Sequence, residues 1–181
     1  MMNQHRNPAE VIRASVLGFA VGDALGVPVE FLSREELAEK PVTDMQNLGT
    51  HEQPAGTWSD DTSMTLCSMC SLTEMGIDYE DQMQRFEDWL WKAEYTAHGE
   101  VFDVGGTTRQ AIFRFAKGTP ALDCGERAEY ACGNGSLMRM LPTALYLFFG
   151  MDKTKLDDEA ANVIHLSSAC THAHPRCKMA C

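Results

Sequence analysis

The feature that most constrains this chain is its punctuation. Helix start and stop signals recur along it, and no run alternates polar and apolar residues long enough to read as a strand. Asn7-Pro8-Ala9-Glu10 combines a capping asparagine, a proline suited to a first turn and an early acid. The helix it opens carries Gly18, Gly22 and Gly26, a stripe that lets another helix backbone approach closely at some cost in propensity. Ser33-Arg34-Glu35-Glu36 has capping-box spacing for a short helix that Pro41 ends. Residues 41–58 read as a loop rich in Gly, Pro, Asn and Thr. Ser59-Asp60-Asp61 opens a helix to about Met75, stopped by Gly76, and a Tyr79–Lys92 helix follows with Phe86, Trp89 and Leu90 on one side. Gly105-Gly106-Thr107 leads into a helix closed by Gly118. Residues 132–135 form a second glycine loop, Ser136 caps the helix after it, and Pro142 kinks that helix or sits near its start. Thr154 with Asp157 starts a helix reaching about Thr171, and Pro175 suits the first turn of another. The expected fold class is all-α.

The 181 residues contain no repeat, low-complexity tract or dividing linker, so a single all-α domain over 1–181 is expected. With 44% hydrophobic and 23% charged residues, the balance excludes a wholly disordered chain. Asp plus Glu outnumber Lys plus Arg by 26 to 15, a formal charge of −11. Such a surface repels nucleic acid and anionic membranes, so neither is an expected partner. A small anion held by local dipoles, or a hard metal ion, stays open. Residues 1–7 are polar with no apolar core behind them, and the seven cysteines are an odd number. Reduced thiols, no signal peptide and a cytoplasmic location are expected. The apolar stretch 11–29 contains Arg13 and Asp23, and its uninterrupted core is too short to be expected to span a bilayer.

Three polar loops stand at helix starts. In Gly56-Thr57-Trp58-Ser59-Asp60-Asp61-Thr62-Ser63-Met64, Ser59 and one acid are explained by capping and by the helix dipole. Two adjacent acids repel each other and point about 100° apart on a helix. They therefore also suit hard cations, bound as a pair or clamped from two sides. In Phe102-Asp103-Val104-Gly105-Gly106-Thr107-Thr108, Asp103 reads either as a solvated turn acid or as a catalytic carboxylate beside an anion-binding nest. Gly133-Asn134-Gly135-Ser136 reads as a capping turn or as a helix N-terminus open to a diphosphate. It is no Walker loop, and it lacks the preceding strand of a dinucleotide fingerprint. Asp23, alone in a small apolar run, is either the buried partner of a backbone group or part of a polar site. Glu30 follows Pro28 at a helix exit, where a side chain reaches across a cleft.

Taken in order, Gly22-Asp23-Ala24-Leu25-Gly26 with Glu30-Phe31, Trp58-Ser59-Asp60-Asp61-Thr62, Phe102 to Thr108, Gly133-Asn134-Gly135-Ser136 with Met138-Arg139, and Thr171-His172 resemble the ADP-ribosylglycohydrolase family over nearly the whole chain. The resemblance implies an orthogonal helical bundle with a binuclear magnesium site, acting on ADP-ribosylated proteins or related ribosyl conjugates. It implies Ser59, Asp60 and Asp61 as metal ligands, with Ser59 standing where many relatives have Thr. It implies Glu30 as the acid on a mobile loop, and Asp103 as an acid near the scissile bond. Glu30, Asp103 and Asp61 are thus the expected catalytic carboxylates. Asp103, Gly105, Gly133, Asn134, Gly135, Ser136 and His172 are the expected substrate contacts.

The family's second acidic motif, Asp-x-Asp-Thr, is absent: Asp152, Asp157 and Asp158 have the wrong spacing. The simplest expectation is an N-terminal portion of a longer family member. The alternative is a short form whose metal site is completed by a second chain. Two function classes follow, a magnesium-dependent hydrolase and a non-catalytic ADP-ribose-binding or crystallin-like structural member. Cys67-Ser68-Met69-Cys70 is expected to be a pair of structural thiols inside a helix. Cys170, His172, His174, Cys177 and Cys181 are dense enough to raise zinc binding beside plain packing.

Overall fold

The computed structural model describes residues 7–128, 134–150 and 162–163. Helix α1 spans Pro8–Gly26, and Asn7 caps it by accepting from the Ala9 amide at 3.1 Å. A 3-10 turn, Val27–Val29, continues it. In α2, Arg34–Glu39, the capping box is complete: Ser33 Oγ accepts from the Glu36 amide, and the Glu36 carboxylate accepts from the Ser33 amide at 2.7 Å. After a 3-10 turn at Gly49–His51 come α3, Asp60–Glu74, and α4, Tyr79–Lys92. Then follow α5, Gly106–Ala116, a turn at Asn134–Ser136, and α6, Met140–Gly150. Among the described residues there is no strand, and an isolated bridge pairs Leu48 with Gln53.

Helix α3 is central and packs against α1, α4 and α6. Its Met64 and Cys67 join Met83, Phe86 and Trp89 of α4 and Ala111 and Ile112 of α5 in one core cluster. The apolar side of α4 was readable from its spacing, and Phe86 and Trp89 are indeed fully buried. Much of the rest of α3 is small and hydroxylic, which lets neighbouring helices close on it. Ser63 Oγ donates to the Ser59 carbonyl at 2.8 Å, and Thr65 Oγ1 reaches the Met138 carbonyl at 3.2 Å. Arg139 is fully buried over the Phe86 ring, and burial pulls its guanidinium down to about 9. Cys67, Cys70 and Cys124 are free thiols, and burial pushes Cys67 well above the usual thiol range.

Three expectations are corrected, one is met, and others fall outside the described residues. No described atom lies within 4 Å of where a β-carbon would stand at Gly18, Gly22 or Gly26, so no described helix packs on that stripe. Ser136 does not cap α6. It ends a 3-10 turn four residues earlier, because Leu137 and Met138 both bond back to the Asn134 carbonyl. Pro142 does sit near the helix start, as the third residue of α6, where a missing N–H removes no intrahelical bond. Residues 8–29 form one helical stretch of 22 residues, long and apolar enough by those criteria to cross a membrane, contrary to the expectation from its uninterrupted core. In the bundle, however, Ala24 and Val27 are buried and Asp23 is bonded to α3. The helices expected after Thr154 and Pro175, the Cys170–Cys181 cluster, Gly133 and His172 lie outside the described residues.

Trp89 is 1% exposed and fills the middle of the cluster. Trp89→Ala is expected to remove about 3–5 kcal/mol of stability, read as a lower denaturant midpoint in chemical unfolding.

Candidate active site

The site is built from α1 onto the start of α3. Asp23 lies one turn before the end of α1, and its carboxylate reaches the N-terminus of α3. It accepts from the Ser59 amide at 3.0 Å, Ser59 Oγ at 2.8 Å, the Thr62 amide at 3.0 Å and Thr62 Oγ1 at 2.6 Å. Ser59 Oγ in turn accepts from the Asp61 amide at 3.2 Å, the capping bond expected from the sequence. The turn is thus capped twice, by its own serine and by an acid from another helix. Of the two roles open to Asp23, partner of backbone groups is the one its bonds describe, although it also lines the cavity below.

Held this way, Asp60 and Asp61 face a cavity of about 850 Å³. Asp60 is 6% exposed and takes a hydrogen bond from the Gly105 amide. Burial first, then repulsion from Asp61, Asp103 and Asp23, pushes its carboxyl up to about 8. Burial, then Asp23, Asp103 and Glu30, raises Asp61 to about 6. Asp103 is also raised to about 6, by burial and by Glu30, with which it shares a carboxyl–carboxylate hydrogen bond. Its backbone is left-handed, φ 53°, a conformation aspartate tolerates better than most residues.

The opposite wall is the start of α5 and the 134–136 turn. The first amides of α5 have no intrahelical acceptor, and Gly105, Gly106, Thr107 and Thr108 line the cavity. Gly135 is required by contact: a β-carbon there would stand 2.5 Å from Thr108 Oγ1. No Lys or Arg lines this cavity among the described residues.

Of the residues expected at the site, Glu30, Ser59, Asp60, Asp61, Asp103, Gly105, Asn134 and Gly135 line this one cavity. Ser136 is buried in the adjoining turn but does not line it. Gly133 and His172 lie outside the description. Sequence reasoning missed His51, whose Nε2 lies 2.5 Å from Glu30 Oε2 and 4.0 Å from Asp103 Oδ1. A lone histidine in a loop offers no spacing, so nothing in the chain flagged it.

The acids fit a hard cation. Carboxylates that burial and mutual repulsion hold partly protonated, with no basic side chain among them, form an all-oxygen donor set short of positive charge. A second group, Glu30, His51 and Asp103, brings one ligand atom from each within 4.8 Å of the others. Its imidazole suits a softer ion than magnesium.

Each raised carboxyl ionises near 3.8 in an unfolded chain. The folded state therefore binds more protons between about pH 4 and 8, and its stability falls as pH rises through that window. In divalent-free buffer, the thermal midpoint is expected to drop from about pH 5 to about pH 8, and Asp60→Asn to flatten the upper part of that slope. A midpoint that rises across the window in the unsubstituted protein contradicts this electrostatic picture.

Comparison with known proteins agrees with the motifs. The family model of ADP-ribosylglycohydrolases matches residues 4–181. An ADP-ribosylarginine hydrolase of Serratia proteamaculans is 31% identical over 170 residues, covering 93% of this chain and 44% of the relative. An ADP-ribosyl-[dinitrogen reductase] glycohydrolase of Rhodospirillum rubrum is 36% identical over 140 residues, covering 71% of this chain and 42% of the relative. A solved structure, described as an ADP-ribosylglycohydrolase-related protein complex, matches with a TM-score of 0.69 at 35% identity, over 87% of this chain and 50% of that one. The chain spans about half the length of the curated relatives it matches. With the family's motifs gathered on one cavity of a helical bundle, this chain belongs to the ADP-ribosylglycohydrolase family.

Proposed function

We propose that this chain forms the substrate-facing part of a magnesium-dependent hydrolase that removes ADP-ribose from ADP-ribosylated proteins or related ribosyl conjugates. The observation that carries the reading is the Asp60–Asp61 pair, Asp60 buried and Asp61 half-buried, opening into a cavity across from the N-terminus of α5. The two named relatives act, by their names, on ADP-ribosylarginine and on ADP-ribosylated dinitrogen reductase, which supports a protein-linked ADP-ribose as substrate.

Ser59, Asp60 and Asp61 are the residues that would hold magnesium. Bound there, the ion would orient ribose hydroxyls and lower the pKa of a water. The Ser59 hydroxyl already donates to Asp23 and accepts from the Asp61 amide, so one lone pair is left to it as a ligand. The chain's own groups do the rest. The free amides at the start of α5 bind the diphosphate, which reconciles an acidic chain with an anionic substrate. Breaking the bond at the anomeric carbon builds oxocarbenium character, which surrounding carboxylates stabilise. Glu30 and Asp103 share a hydrogen bond, and burial and repulsion hold Asp103 at about 6. A paired carboxyl and carboxylate near neutrality can take a proton from water and return one to the leaving group. Completion of the metal site by residues outside those described, or by a second chain, belongs to the same proposal.

The test is release of ADP-ribose from a protein mono-ADP-ribosylated on arginine. It uses residues 1–181, with magnesium, with a chelator and as Asp60→Asn. Release is expected to require magnesium and to fall about 10²-fold or more in Asp60→Asn, several kcal/mol of lost stabilisation. Release that ignores both the chelator and the substitution contradicts the proposal. ADP-ribose binding without release by the folded chain favours the non-catalytic reading instead.

A further inference from the structure

Glu30 reaches the cavity from a segment with little of its own to hold it. The Val27–Val29 turn ends at Glu30, and Phe31 follows with φ 64° and 79% exposure. A left-handed aromatic residue is costly, and an exposed one gains nothing from burial in return. The restraint comes from a second loop. The bridge between Leu48 and Gln53 closes it, with the Leu48 amide bonded to the Gln53 carbonyl at 2.7 Å, and its Gly49–His51 turn lies along residues 28–30. The approach is so close that a β-carbon on Gly49 would stand 2.1 Å from the Pro28 carbonyl oxygen, and Gly49 itself has φ +69°. Thr50 Oγ1 donates to the Glu30 carbonyl at 2.7 Å. His51 Nε2 meets the Glu30 carboxylate at 2.5 Å. The His51 ring packs near both Phe31 and Phe102, with centroids 6.1 and 5.3 Å away. Backbone and side chain of Glu30 are thus both tied to one three-residue turn, and that turn is packed on the residue preceding Asp103.

We propose that His51 is a positioning residue: with Thr50 it straps the Glu30 segment onto the Asp103 turn and sets the Glu30 carboxylate against Asp103. The inference rests on the acid–base role given to Glu30 above. The His51 imidazole, 15% exposed, acts through Glu30 and need not touch substrate. Removing it leaves the metal-facing pair Asp60 and Asp61 with their own restraints, the Asp23 cap and the Gly105 amide. The loss is therefore specific to the orientation of one carboxylate.

The test uses full-length protein as His51→Ala, His51→Gln and Thr50→Val, with two readouts. The first is amide hydrogen exchange. Residues 28–33 are expected to exchange about 10-fold faster or more in His51→Ala and Thr50→Val, with α4 unchanged. The second is steady-state release of ADP-ribose. His51→Ala is expected to lower kcat about 10²-fold with KM within about threefold, and His51→Gln, which keeps an N–H donor, to recover most of that loss. Unchanged exchange over 28–33 overturns the strap. A raised KM at unchanged kcat, or equal losses in the Gln and Ala variants, overturns the positioning role. If unsubstituted protein releases no ADP-ribose, it is the hydrolase reading that fails, while the exchange comparison still decides whether His51 restrains Glu30.

Discussion

Both hydrogen-bonding groups of Ser59 and both of Thr62 donate to a single carboxylate, Asp23, delivered from another helix. Hydrogen bonds to an ionised acceptor are worth about 1.5–3 kcal/mol each, roughly twice a neutral one. This contact decides where α3 begins and which way its first turn faces. It therefore fixes Asp60 and Asp61, which make the site unusual, and it docks α1 onto the central helix of the bundle. The fold and the site share this one joint. A change in how α1 meets α3 would reorient the acidic pair without touching it.

The same joint creates an electrostatic difficulty. Asp23, Glu30, Asp60, Asp61 and Asp103 crowd one cavity that no Lys or Arg among the described residues lines. Desolvation and repulsion act together, and Asp60 and Asp61 hold protons well above the ordinary aspartate range. Three local devices offset part of the cost: the α3 dipole, the Gly105 amide on Asp60, and the His51 imidazole on Glu30. The remainder is the charge that a hard cation would supply. A cluster destabilised in isolation and relieved by a ligand is a common arrangement for a functional site.

Much of this was legible because capping is local chemistry. The bonds at Asn7, Ser33 with Glu36, and Ser59 depend on residues two or three apart, so the helix starts could be read directly. The apolar side of α4 was legible for the same reason, as a repeat within one helix. What the chain did not disclose is long-range. Asp23 and Ser59 are 36 residues apart, and Glu30 and His51 are 21 apart. A side chain in an irregular loop has no period to betray its partner. The Gly18–Gly22–Gly26 stripe failed for a related reason: small residues permit close approach but do not cause it. At Ser136, a local 3-10 turn took the residues that capping logic assigned to α6.

The central claim is that Asp23 sets the geometry of Asp60 and Asp61 without being a ligand itself. Calorimetric titration of magnesium into full-length protein, unsubstituted and as Asp23→Asn, tests it most directly. An asparagine keeps the shape but loses the second anionic oxygen that the Ser59 and Thr62 donors share. The account predicts a folded Asp23→Asn protein whose magnesium affinity is about 10–100-fold weaker, the loss typical when a group orienting metal ligands is changed. Equal affinity in the two proteins would contradict it.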